Sequence, residues 1–72
     1  MWNSIEIIPE VKKPLIVLLE DGRVYSAIWG GFKWFSISLN KFDFDKNEWD
    51  FKGTGEVPSL GIAWMYIEKP TF

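Results

Sequence analysis

The chain has 72 residues, eight basic against ten acidic side chains for a formal charge of −2, and neither Cys nor His. This length supports one domain, since such a chain buries only roughly 60% of the surface it exposes when unfolded. The missing residues exclude disulfides, thiolate zinc sites, cysteine nucleophiles and the commonest general base and transition-metal ligand, and the evenly mixed charge gives no basic footprint for nucleic-acid phosphates.

The first ten residues, MWNSIEIIPE, carry neither a basic leader nor a continuous apolar stretch, so no secretory signal is expected. The longest apolar run, Leu15 to Leu19, is too short to cross a bilayer. A soluble protein of the host-cell cytoplasm, with no membrane contact, is expected. Ile5, Ile7 and Ile8 suggest a short segment stopped by Pro9, and a charged connector, residues 10–13, leads to Pro14.

From Leu15 the signals are those of an antiparallel meander. LIVLLE (15–20) and RVYSAIW (23–29) flank Asp21-Gly22, a strong hairpin cue because a type I′ turn needs positive φ at both centre positions. Gly30-Gly31 is a second two-residue turn candidate, leading into FKWFSISL (32–39). Two-residue turns would pair Leu19 with Val24, Leu15 with Ile28 and Ala27 with Trp34. One face then collects Leu15, Val17, Leu19, Val24, Ile28, Phe35 and Ile37 as the expected core. The opposite face collects Ile16, Leu18, Tyr25, Ala27, Trp29, Phe32 and Trp34 and is nearly as apolar, which an antiparallel sheet with one wet face should not be. Either the sheet curls so that these aromatics are core, or Tyr25, Trp29 and Trp34 stay partly exposed as a recognition patch.

FDFDKNEWDF (42–51) begins like a calcium loop, with Asp43, Asp45 and Asn47 at alternate positions. Glu48 stands where that loop needs Gly, and Thr54 where it needs a bidentate Glu, so no metal is expected. A hairpin with Lys46-Asn47 at its tip fits better and pairs Phe44 with Trp49 and Phe42 with Phe51. It would also set Asp43 against Asp50 and Asp45 against Glu48, an unfavourable arrangement of like charges. That leaves a solvated edge, a docking face for a basic partner formed by Asp43, Asp45, Glu48 and Asp50, or a different register. Residues 52–60, with Gly53, Gly55 and Pro58, read as a loop, and GIAWMYIEKP (61–70) as a last strand ended by Pro70.

Catalytic means are thin. The serines have no His partner, no Gly-rich phosphate loop precedes a helix, and a domain this small has little volume in which to raise a carboxyl pKa. A non-enzyme without cofactors is expected. Aromatic strands can stack single-stranded bases, but Arg23 and Lys33 are the only cations flanking the aromatic face, so nucleic-acid binding is kept as the alternative.

Several landmarks stand in a suggestive order: Trp2 and Ile5, Pro9-Glu10, Pro14 before LIVLL, Gly22, Trp29, Trp34, then Val57, Trp64-Met65 and Pro70. This order resembles the domain-of-unknown-function family numbered 551, small accessory proteins of tailed phages and prophages whose typical ending is Thr-His-Trp-Met-Pro-Leu-Pro. Ala63 stands where that family commonly has His and Tyr66 where it commonly has Pro, and residues 41–55 look longer than the usual connection. The resemblance implies a phage or prophage setting and host interaction, and carries no functional residues.

The expectation is therefore one all-β domain, a twisted antiparallel meander of four or five strands able to close into an SH3-like barrel. It would act as a non-catalytic protein-binding module on a host or phage protein, inhibition of a host defence or regulatory protein being one such role. A homodimer through the aromatic face is a further expectation to test.

Overall fold

The computed structural model describes residues 1–70. Among them there is no helix, and so none long and apolar enough to cross a membrane. Six strands form one antiparallel sheet: β1 (Asn3–Ser4), β2 (Leu15–Leu19), β3 (Val24–Trp29), β4 (Trp34–Asp43), β5 (Glu48–Glu56) and β6 (Gly61–Tyr66), in the order β1-β6-β2-β3-β4-β5. The all-β architecture is as expected, with six strands rather than four or five and an open sheet rather than a closed barrel. The residues read as a 52–60 loop instead continue β5 as far as Glu56.

The β2–β3 turn decides how the sheet is filled. Leu19 N–H donates to Arg23 C=O at 2.8 Å and Gly22 N–H to Leu19 C=O at 2.9 Å, so three residues, not two, make the turn. Gly22 alone takes positive φ, +91°, which is the three-residue alternative to a type I′ hairpin. Asp21 holds this geometry: its carboxylate accepts the Arg23 backbone N–H at 3.0 Å and the Arg23 Nε–H at 2.8 Å. The same hydrogen bonds keep the Asp21 carboxyl below its ordinary pKa.

Consequently Leu15 pairs with Ala27 and Val17 with Tyr25, one residue away from the expected register. A slip of one moves a strand's side chains to the other face. The β3–β4 turn, Gly30 to Lys33, pairs Trp29 with Trp34 and Ala27 with Ser36, a slip of two that leaves faces unchanged. Leu15, Val17 and Leu19 therefore share a face with Tyr25, Ala27, Trp29 and Trp34. Leu15, Val17, Leu19, Ala27 and Trp64 form the core, with Ile5, Tyr25, Trp34, Val57 and Tyr66 packed against it. Of the other expected core residues, only Ile37 is buried; Ile28 and Phe35 are half-buried on the opposite face, and Val24 is 54% exposed.

The segment from Ile5 to Lys12 is tied down by three hydrogen bonds. Trp64 Nε1–H donates to Ile7 C=O at 2.7 Å, Glu10 N–H to the Tyr66 hydroxyl at 2.9 Å, and Lys12 N–H to Trp29 C=O at 3.0 Å. Gly61 allows close approach here, because a Cβ on it would lie 2.8 Å from Val17 and 3.4 Å from Ile5.

At the other edge, register shifts between Ser36 and Ile37 and between Leu39 and Lys41 mark bulges, which bend a hairpin and strengthen its twist. Four strand spacings separate β5 from β6, about 19 Å in a flat sheet. Yet Trp49 and Tyr66 line one cleft of about 400 Å³, so the β4–β5 hairpin curls back without closing the sheet.

The register has a direct thermodynamic consequence. Leu15→Ala should lose about 2–5 kcal/mol in denaturant unfolding, whereas Val24→Ala should stay within about 1 kcal/mol. Equal losses would place Val24 in the core and reject this pairing.

Candidate functional site

Trp29 and Trp34 face each other across the β3–β4 ladder, ring centroids 4.9 Å apart and planes tilted by 56°. Both are half-buried, with Ile5 beside them. Two shallow clefts, of about 270 and about 340 Å³, share Ile5, Trp29 and Trp34 as lining. The first runs toward Ile8 and Pro9, the second toward Phe32, Val57 and Leu60. Ile8, Phe32 and Leu60 are 73%, 72% and 70% exposed, the highest values among the described large apolar residues after Met1. They line the same pair of clefts, so their exposure adds up to one patch rather than scattered surface residues.

The rim is polar. Lys33 Nζ forms an ion pair with Glu56 and lies 5.3 Å from the Phe32 ring centroid and 5.4 Å from that of Phe35. Phe32 meets Phe35 edge to face at 5.8 Å, which steadies the loop that presents it. An apolar centre with a charged border is the anatomy of a protein-binding patch. The clefts fall near or below the lower end of small-molecule sites, about 300–1,000 Å³.

The structure brings together two of the three expected aromatics. Tyr25 lies four residues along β3 from Trp29, about 13 Å in an extended strand. It packs on the core and carries Arg23, whose guanidinium is 5.7 Å from the ring centroid. Sequence reasoning overlooked Ile5, Ile8 and Leu60 as site residues. The usable signal was the run Ile7-Ile8-Pro9: apolar residues before a strand breaker, with no strand of their own to fill.

The acidic hairpin is organised differently from the expected one. Its turn spans residues 44–47, with Asn47 at φ +57°, and pairs Asp43 with Glu48, Phe42 with Trp49 and Lys41 with Asp50. This register sets Asp50 opposite a cation, while Asp43 and Glu48 still face each other as like charges. Asp43 Oδ1 accepts the backbone N–H groups of Asp45 at 3.0 Å and Lys46 at 3.1 Å, so it caps the turn. Asp50 Oδ2 accepts from Asn40 Nδ2 at 3.3 Å, while Asp45 and Glu48 are exposed. Among the described residues no three acidic groups are placed to hold a metal ion. On the aromatic side, Phe42 stacks edge to face with Phe44 at 5.0 Å and with Trp49 at 5.2 Å.

Compared with known proteins, the chain matches no family model, no curated protein and no solved structure.

Asp43→Ala should therefore destabilise the fold by about 1 kcal/mol through the lost cap, and Asp45→Ala should be near neutral in the same thermal or denaturant unfolding. Similar effects of the two would show that Asp43 has no special part in the turn.

Proposed function

We propose that the chain is a non-catalytic protein-binding module whose contact surface is the Trp29/Trp34 patch. The observation that carries this reading is the junction of two clefts at Ile5, Trp29 and Trp34, with Ile8, Phe32 and Leu60 exposed around it. Seating one leucine- or phenylalanine-sized side chain of a partner there would contribute about 1.5–3 kcal/mol of apolar burial. Two adjacent clefts let a partner place two such anchors, and the Lys33–Glu56 pair borders them. The resemblance that the order of Trp2, Pro14, Gly22, Trp34 and Trp64-Met65 bears to the phage and prophage family numbered 551 is what points to a phage or prophage origin, and with it to a host defence or regulatory protein as the class of target.

Base stacking on the same aromatics has less support. Tyr25 is apart from the tryptophans, the cleft toward Ile8 and Pro9 is lined by no cation among the described residues, and Lys33, which lines the other, is already ion-paired with Glu56. A single-strand binder needs free cations along its stacking platform.

The test is capture of host proteins by the immobilised chain, comparing wild type with Phe32→Ser, Leu60→Ser and the Asp45→Lys/Glu48→Lys double variant. Phe32 and Leu60 are exposed, so their variants should fold normally while each weakens capture about fivefold or more. The double variant should capture as wild type does. Loss of capture confined to the double variant would move the site to the hairpin and reject the patch.

A further inference from the structure

β5 is an edge strand nine residues long, hydrogen-bonded to β4 on one side and, among the described residues, to no strand on the other. Such an edge is a template for another strand. From Glu48 to Gly53 its alternation is regular: Glu48, Asp50 and Lys52 are exposed on one face, and Trp49 and Phe51 are half-buried on the other. Thr54 is the extra residue of a bulge and Gly55 has φ +125°, so regular pairing stops there.

Only one register of this edge against itself combines opposite-charge pairs with no like-charge contact. When two copies join edge to edge about a twofold axis perpendicular to the sheet, only residues of the same face can oppose each other. The axis must therefore fall on a residue. Centred on Asp50 it opposes Glu48 to Lys52 twice but also Asp50 to Asp50 at the axis, and centred on Lys52 it opposes Lys52 to Lys52. Centred on Trp49 it opposes Glu48 to Asp50, and centred on Gly53 it opposes Asp50 to Glu56. Each of these sets like charges face to face, which is unfavourable. Centred on Phe51, Asp50 opposes Lys52 twice, Phe51 opposes Phe51, and Trp49 opposes Gly53. The space above Gly53 is open, with no atom within 4 Å of where a Cβ would stand, so the partner's Trp49 ring has room there.

We propose that the chain binds a second copy of itself by antiparallel pairing of β5 with β5, centred on Phe51. The two Asp50–Lys52 pairs select the register, and the Trp49–Gly53 and Phe51–Phe51 contacts bury the aromatic face. This interface lies on a different edge from the Trp29/Trp34 patch and does not depend on it.

Sedimentation equilibrium at high micromolar concentration tests the pairing. Wild type should show a monomer–dimer equilibrium. Asp50→Lys sets Lys against Lys, and Lys52→Asp sets Asp against Asp; each should raise the dimer dissociation constant about tenfold. An equimolar mixture of the two variants should dimerise again, because one chain then presents two lysines to two aspartates of the other. Asp50 also faces Lys41 across the β4–β5 ladder, so its variant is checked for folding by circular dichroism. Lys52 faces Ser38, and its variant carries the test alone if the other unfolds. Phe32→Ser should dimerise like wild type. A monomeric wild type, dimerisation insensitive to the charge exchanges, or dimerisation abolished by Phe32→Ser would overturn the proposal.

Discussion

The three-residue turn between β2 and β3 is the constraint on which the rest of the sheet depends. Asp21 grips the backbone and guanidinium of Arg23, and Gly22 supplies the one positive φ that the turn requires. This fixes Leu15 against Ala27 and Val17 against Tyr25, and the parity of a strand does the remainder. The three fully buried aliphatics of β2 then share a face with the tryptophans of β3 and β4, and the core grows on that side. A two-residue turn at the same place would have divided the aliphatics and the aromatics between opposite faces.

With aromatics and aliphatics together, one short covering segment meets more apolar surface than it can enclose. Residues 5–12 are held at Trp64, Tyr66 and Trp29 by hydrogen bonds of 2.7, 2.9 and 3.0 Å, and Ile5 reaches the core. The end of the sheet at Trp29 and Trp34 is only half covered, and the patch is what remains. In a chain of this size the surface-to-volume ratio makes full enclosure difficult. The exposed ring of Ile8, Phe32 and Leu60 is the form that this takes here.

Much of the fold could be read from the residues. The strands read at 15–20, 23–29 and 61–70 are present as Leu15–Leu19, Val24–Trp29 and Gly61–Tyr66, with the turn at Asp21-Gly22 and the acidic hairpin. The apolar character of both sheet faces correctly signalled that neither is simply wet. The register was not legible, because Asp-Gly serves both two-residue and three-residue turns, and the local Asp21–Arg23 contact that holds the three-residue form is not specified by the dipeptide itself. The extension of β5 through Gly53 and Gly55 was hidden for a related reason: two glycines read as a loop, yet both pair with β4, at Ile37 and Ser36. The turn over residues 44–47 removes one of the two expected like-charge pairs by bringing Lys41 opposite Asp50, and leaves the other as Asp43 opposite Glu48. Trp29 and Trp34 were identifiable as a pair because a slip of two preserves faces. Tyr25 was grouped with them by parity alone, and distance along the strand separates it.

The functional reading therefore rests on register: the patch exists because β2 and β3 meet in the way they do. Cross-strand nuclear Overhauser contacts between backbone protons of β2 and β3 measure this directly. The account predicts contacts linking Leu15 with Ala27 and Val17 with Tyr25. Contacts linking Leu15 with Ile28 and Val17 with Ser26 as opposed pairs would contradict it, and would place the tryptophans on the face away from the β2 core.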